Sequence, residues 1–348
     1  NGENGALLLE PSRQQLIQFS EYFGASSWTK VNVNITDNNT TSPEGLNNAA
    51  KITPDTTNSF HYLDTASVNI NSNGTASVYA KAGGYNKIAL RSYFDGRFAI
   101  FNLNDGTLGN YTTASASIED AGNGWYRCSL NENSTSSYGA QVFVMEDGSN
   151  NPTAAYQGDN IKSVYLYGFQ VEPSASYPSS YIPNHGTSGG VTRAADSCSV
   201  TGASDVIGQT EGTLFFDVNI SHVVGNEALG GINSGAYANH ATIQRIGNTF
   251  QFVRNSATQS GATIVTSATI SAGRYKLAIA YKSGDTACFL NGTQVSTTQT
   301  QTFTNASLSV VRMSGDAIGA LPISDSYKQA ILFKERLSNA ELATLTTL

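Results

Sequence analysis

The sequence predicts an all-β protein built from two antiparallel β-sandwiches of the jelly-roll type, closed by a short C-terminal helix. Short runs that alternate apolar and polar residues recur along the chain, clusters of Gly, Asn and Asp separate them, and a helical period is almost absent. Many short strands at that spacing suit sandwiches. A chain of 348 residues exceeds one ordinary domain and suits two, each long enough to bury a core of its own.

In the first half the strand-like runs are Ser77–Ala80, Lys87–Tyr93, Phe98–Asn102, Trp125–Leu130, Gln141–Met145 and Val164–Val171. Asn73-Gly74, Asp95-Gly96 and Asp105-Gly106 are hairpin dipeptides, because Gly after Asn or Asp accepts the positive φ that a tight turn demands. Trp28 falls near the first strand, and Trp125 reads as a core anchor. Residues 173–195 then change character. Pro173, Pro178 and Pro183 precede Gly186, Gly189 and Gly190, and such a stretch cannot be helical. The expected organisation is a carbohydrate-binding-module-like sandwich over 1–172, a Pro/Gly linker over 173–195 and a second sandwich over 196–348.

Strand patterning resumes in Gly212–Ile220, where Leu214, Phe216 and Val218 alternate, and continues in Ala241–Ile246, Thr249–Arg254, Tyr275–Tyr281, Thr286–Leu290, Leu308–Met313 and Tyr327–Phe333. Asn291-Gly292 marks a tight turn. Ser338 and Glu341 have the spacing of a helix capping box, with Leu342 and Leu345 on one face of the helix that follows.

Composition narrows the function. Only 13% of residues are charged, about half the usual globular share, and the formal net charge is −7. Lys and Arg form no cluster, so the chain carries no electrostatic footprint for nucleic acid and no polybasic lipid-binding segment. No apolar run reaches the 18 residues that membrane insertion by a helix needs. A surface rich in Asn, Ser, Thr, Gly and Gln suits an exported protein that meets neutral polar ligands. The chain starts at Asn1 and reads as a processed product or the later part of a longer polypeptide. Cys128, Cys198 and Cys288 are odd in number and far apart, which argues for buried thiols over a disulfide framework or a zinc site.

Several segments carry a resemblance. Leu7-Leu8-Leu9-Glu10-Pro11-Ser12-Arg13, Phe19-Ser20-Glu21-Tyr22-Phe23 and Trp28-Thr29-Lys30 resemble the opening of a module common in tailed-phage structural proteins, the head spikes and tail fibres. Gly124-Trp125-Tyr126-Arg127-Cys128 is similar to its internal strand. Gln170-Val171-Glu172, Ser180-Tyr181-Ile182-Pro183 and Val191-Thr192-Arg193-Ala194-Ala195-Asp196 are similar to its exit. Gln14-Gln15 departs from the Thr-Asn expected after Pro-Ser-Arg. Glu211-Gly212-Thr213-Leu214, Tyr275-Lys276-Leu277-Ala278, Leu290-Asn291-Gly292 and Arg336-Leu337-Ser338-Asn339-Ala340-Glu341-Leu342 resemble a concanavalin A-like, laminin-G-like domain. The resemblance implies a non-catalytic virion appendage with carbohydrate-binding-type domains for host attachment. Its partners would be cell-surface polysaccharide and other virion proteins, its location the virion or the extracellular space, and a homo-oligomer is compatible with it. A polysaccharide depolymerase and a structural or decoration protein are the rival expectations.

The residues test those expectations. A glycoside hydrolase needs two carboxylates flanking the scissile bond, and Asp217 has no carboxylate two or four positions away on its strand face. Glu146 and Asp147 are adjacent and would face opposite ways. His61-Tyr62 and Gln244-Arg245 are fragments of a lyase-like set. No cofactor is required, and calcium is the candidate ion, with oxygen donors at Asn102, Asn104 and Asp105 in one loop and at Asp316 in another. Sugar binding needs flat aromatic faces beside planar polar groups. Among Phe60, His61, Tyr62, Tyr85, Tyr93, Phe94, Asp95 and Arg97, the expected ligand contacts are Tyr62, Tyr85, Tyr93, Asp95 and Arg97, with Tyr85 and Tyr93 the leading pair because they flank a strand beside Gly and Asp turns.

Overall fold

The computed structural model describes residues 5–133, 136–236, 238–256, 263–304, 307–315 and 325–348. The chain divides into two compact units, Arg13–Arg193 and Asn1–Ser12 with Ala194–Leu348. Among the described residues each unit contains two six-stranded sheets whose ladders are antiparallel, and Asn339–Thr346 is the one α-helix.

In the Arg13–Arg193 unit one sheet runs, in spatial order, Thr107–Tyr111, Phe98–Asn102, Lys87–Ser92, Ala140–Met145, His61–Thr65 and Trp28–Val31. The other runs Ser115–Gly122, Trp125–Glu132, Gly74–Gly83, Ser163–Pro173, Ala49–Pro54 and Val33–Thr40. Alternation decides which side chains meet between them. Leu63, Ile88, Leu90, Phe101, Val142 and Val144 from the first sheet pack on Ile52, Val78, Ala80, Cys128, Leu130 and Leu166 from the second. Each fully buried aliphatic or Phe side chain contributes roughly 1.5–3 kcal/mol of transfer free energy. Trp28 closes one end of this core, its ring edge-on to Phe169 at 5.4 Å and its indole N–H donated to the Phe19 carbonyl at 3.1 Å. Trp125 is also buried, with Ala49 and Tyr167 in a smaller cluster, and donates to the Thr41 carbonyl at 3.1 Å.

The second unit stacks Leu7–Leu9, Asp325–Phe333, Glu211–Ile220, Gly273–Lys282, Ala287–Leu290 and Thr293–Gln294 against Cys198–Thr201, Val310–Met313, Asn226–Asn233, His240–Ile246, Thr249–Asn255 and Thr263–Thr269. Leu214, Phe216, Val218, Leu277 and Ile279 meet Leu229, Ile243, Phe250 and Phe252 in its core. The helix has the capping box: Ser338 Oγ accepts from the Glu341 N–H, and the Glu341 carboxylate accepts from the Ser338 N–H at 2.7 Å. Its Leu342 packs on Phe215 and Phe289.

Boundaries at 172 and 196 differ from this division in two places. Leu7–Leu9 is an edge strand on Asp325–Phe333, and Leu9 lies in the core of that sandwich, so the first residues of the chain belong with its second half. The Pro/Gly stretch is folded into the Arg13–Arg193 unit. Buried Glu172 accepts from the Ser179 N–H and hydroxyl, Gln170 Oε1 accepts from the Ile182 N–H at 2.7 Å, and Asn184 N–H donates to Ser20 Oγ at 2.9 Å. Proline rules out a helix here, and these buried polar partners fix the extended chain. The unit is an insertion whose entry and exit lie side by side, because Arg13 pairs with Arg193 in a short ladder.

All three cysteines are free thiols; Cys128 and Cys288 are buried in the two cores and Cys198 is half-buried. Burial pushes the Cys128 and Cys288 thiols up, which leaves them protonated and unreactive at neutral pH. A reducing agent is therefore expected to leave the melting temperature unchanged in scanning calorimetry. A drop matching the roughly 2–4 kcal/mol of a lost bridge contradicts this.

Candidate functional site

The outward face of the Trp28–Val31 to Thr107–Tyr111 sheet collects the groups that the sequence set apart. Register builds it. Tyr62 stands opposite Phe143, Phe143 opposite Ala89 and Ala89 opposite Ile100. The next row on the same face is Asp64, Gln141, Arg91 and Phe98. Residues two apart on a strand share a face, so Tyr62 with Asp64, and Phe143 with Gln141, place an aromatic row beside a polar one.

Tyr62 stacks on Phe143 with ring centroids 4.7 Å apart and planes 17° from parallel, and Phe60 leans on both at 5.8 and 6.4 Å. The Arg91 guanidinium sits 5.9 Å from the Phe143 centroid. The polar row is chained: Arg91 Nη1 donates to Gln141 Oε1 at 2.6 Å, and Gln141 Nε2 donates to Asp64 Oδ2 at 3.5 Å. Burial raises the Asp64 carboxyl above its ordinary range, against the opposing pull of Gln141, Thr65 and Arg91. Asp64 Oδ1 is buried and accepts no hydrogen bond by geometry among the described residues.

The polar row leads to a hollow of about 200 Å³ bounded by Asp64, Thr65, Ser67, Tyr93, Phe94 and Gly139. Tyr93 and Phe94 form its aromatic rim, edge to face at 5.7 Å, with 61% and 50% of their surface exposed. Gly139 makes this seat possible, since a Cβ there would come within 2.9 Å of Tyr93 Cβ. The Tyr93 N–H donates to the Gly139 carbonyl at 2.9 Å and ties the turn to its neighbour.

Of the expected ligand contacts, Tyr62 and Tyr93 are on this face. Asp95 and Arg97 shape the turn that presents Tyr93 and Phe94. Asp95 Oδ1 accepts from the Arg97 N–H at 3.1 Å, and the Arg97 guanidinium lies 3.6 Å from both Asp95 and buried Glu132. Tyr85 is corrected: it is 6% exposed, packs on Tyr156 at 5.6 Å inside the core and is no surface platform. His61 is also internal, with Nδ1 2.6 Å from the Asn32 carbonyl, and points away from Tyr62. Residue type alone did not select Asp64, which lines the hollow, or Arg91 and the buried Gln141 and Phe143, which back it; the i, i+2 pairs Tyr62/Asp64 and Arg91/Tyr93 are the signal that finds them.

The Asn102, Asn104 and Asp105 loop is a hairpin turn. Asp105 Oδ1 accepts from both the N–H and the hydroxyl of Thr107, which lowers its pKa, and Asn102 Nδ2 donates to Thr107 Oγ1 at 2.8 Å. These donors and acceptors close the turn on itself and supply one carboxylate, a poor fit to a calcium cage. Among the described residues no three His, Cys, Asp or Glu side chains gather as metal ligands. Asp316 lies outside the described residues.

The other unit buries a second titratable group. Arg245, wholly buried, reaches Glu227 Oε2 at 2.7 Å and donates to the carbonyls of Val224, Gly225 and Gly247. Asp325 accepts from the N–H and hydroxyl of Ser221 at 2.8 and 3.1 Å. Burial, then the Asp325 charge, pushes the Glu227 carboxyl up to about 7 despite Arg245.

No protein-family model matches the chain, and no curated protein matches it. Among solved structures it is similar to the Ruminococcus gnavus IT-sialidase CBM40, at 17% identity over 40% of this chain and 83% of that one, with a TM-score of 0.35. The same module bound to α2,3-sialyllactose aligns at 16% identity over 44% of this chain and 97% of that one, TM-score 0.37. The Limulus polyphemus SAP-like pentraxin aligns at 14% identity over 38% and 68%, TM-score 0.32. Similarity at this level assigns no function.

Proposed function

We propose that this protein is a non-catalytic glycan-binding protein that holds polysaccharide on the outer face of the Arg13–Arg193 sandwich, as a virion appendage would hold a host surface. The observation that carries the proposal is an exposed aromatic rim, Tyr93 and Phe94, over a hollow that Asp64, Thr65 and Ser67 also line, with Gln141 and Arg91 chained behind Asp64. Sugar rings present C–H faces to aromatic rings and hydroxyls to amides, guanidinium and carboxylate. The phage setting draws on the sequence resemblance.

Turnover is not part of the proposal. The Glu227 and Asp325 carboxyls interact, but at 5% and 1% exposure they lie where no glycosidic bond can reach.

An array of immobilised bacterial cell-surface polysaccharides tests the proposal directly. Tyr93→Ala is expected to weaken retention about two- to twelve-fold, the roughly 0.5–1.5 kcal/mol of one lost stacking face, with the melting temperature unchanged. Absence of any retention, or release of shorter oligosaccharides from the array, overturns it.

A further inference from the structure

We infer that the ligand is a linear, uncharged glycan chain, bound across two connected subsites and not by a terminal sugar alone. The inference rests on the glycan reading of the Tyr93 face. Beside the small hollow lies a cleft of about 490 Å³, and Thr65 and Ser67 line both. These residues stand where the strand His61–Thr65 ends and the chain turns into the short strand Val68–Asn69, so one piece of backbone forms the sill between the two spaces.

The cleft has the amphipathic character of a pyranose. Leu16, Val68 and Pro173 give it apolar surface, and Gln14, Gln18, Asn69, Asn71 and Ser188 give it amides and hydroxyls. Two of the amides are held in place. Gln14 Nε2 donates to the Gly189 carbonyl at 3.0 Å, and Gln18 Nε2 donates to the Gly186 carbonyl at 2.6 Å. Asn69 Oδ1 accepts from the Asn71 N–H at 2.8 Å. A site fixed before binding spends less on ordering its side chains.

Charge sets the ligand class. None of the residues lining the cleft is charged. In the smaller hollow the one ionisable carboxyl is Asp64, which offers an anionic ligand no counter-charge. The chain as a whole carries −7, which repels polyanions at long range. Carboxylated or sulfated sugars would enter the cleft without a counter-charge, whereas hydroxyls and acetamido groups find partners throughout. Two sites joined by a sill also make affinity depend on length, because a chain that fills one space places its next units at high effective concentration over the other.

The test is titration calorimetry on the full chain with size-graded β-1,4-glucan, α-1,4-glucan, β-1,3-glucan and chitin oligosaccharides, from dimer to hexamer, and with α2,3-sialyllactose as the charged terminal comparator. In the series that binds, the dissociation constant is expected to fall at least tenfold from dimer to hexamer. Ser188→Trp, at an exposed position of the cleft and away from the hollow, should abolish that gain. Tyr93→Ala should weaken every length. Affinity independent of length, or sialyllactose bound as tightly as any hexamer, overturns the extended uncharged site while leaving glycan binding intact. If no series binds, wild type and Ser188→Trp are compared on the polysaccharide array. Equal retention overturns the inference, lower retention by Ser188→Trp supports it, and no retention by wild type overturns the glycan reading as well.

Discussion

Arg245→Met is expected to destabilise the unit of Asn1–Ser12 and Ala194–Leu348 by about 3–5 kcal/mol at neutral pH, the range for removing one partner of a buried, hydrogen-bonded ion pair. Arg245 is fully buried, faces Glu227 at 2.7 Å and donates to three backbone carbonyls. The methionine would fill much of the same space and supply none of those hydrogen bonds. For a unit of this size 1 kcal/mol moves the melting temperature by roughly 2–4 °C, so calorimetry should show its transition falling by about 10 °C. A fall corresponding to less than about 1 kcal/mol would mean that the cluster is solvated and that the burial argument fails. The pH dependence has a definite sign. Glu227 titrates near 7 when folded, above its unfolded value. Its contribution is then fully present below about 4.5 and is lost as pH rises through 7. Asp325 is raised as well, by burial first, and acts in the same direction. The wild-type unit should therefore melt higher at pH 5 than at pH 8. Glu227→Gln, which keeps the neutral shape, should flatten that slope, and Arg245→Met should steepen it.

The strands of both cores were legible because alternation survives wherever one face is buried. Phe98–Asn102 has the bounds the sequence suggests, and Lys87–Ser92, Glu211–Ile220 and Thr249–Asn255 differ by a residue. Edge strands were not legible. Val33–Thr40 and Ser115–Gly122 lie at the margins of their sheet, and Val33 is their one buried residue, so only the short apolar pairs Val33 with Ile35 and Ala116 with Ile118 mark their inner face. Asn226–Asn233 was hidden for the opposite reason. Its Gly230 and Gly231 read as strand breakers, yet added Cβ atoms would approach the Arg312 and Ala241 carbonyls within 2.4 and 2.3 Å, so the strand needs both glycines. At the site, exposed aromatics such as Tyr93 stand out by type. The Asp64–Gln141–Arg91 chain joins three strands that are neighbours only in the folded sheet, and sequence spacing between strands carries no trace of that order.

Tyr85→Ala provides the sharpest contrast within one sandwich, with an expected loss of about 3–5 kcal/mol, as for other large aromatic deletions in cores. Gly83-Gly84 before it and Asn86 after it give Tyr85 the sequence setting of a loop. The glycines have another purpose: Cβ atoms on them would collide with Ser163 and Lys162, whose chain packs directly over this segment. Tyr85 is turned inward by that packing, with its N–H donated to the Ser163 carbonyl at 3.2 Å and its ring 5.6 Å from Tyr156. Burial raises the phenols of both, and the Tyr156 hydroxyl donates to the Val144 carbonyl at 3.0 Å. Removing the Tyr85 ring opens a cavity between the sheets, whereas Tyr93→Ala removes a ring that is already 61% in water and should change stability by no more than about 0.5 kcal/mol. Chemical denaturation of the two variants should separate them by several kcal/mol, and polysaccharide retention measured on the folded fraction should order them the other way. Tyr85→Ala protein that stays fully stable would place its ring at the surface and return it to the glycan face.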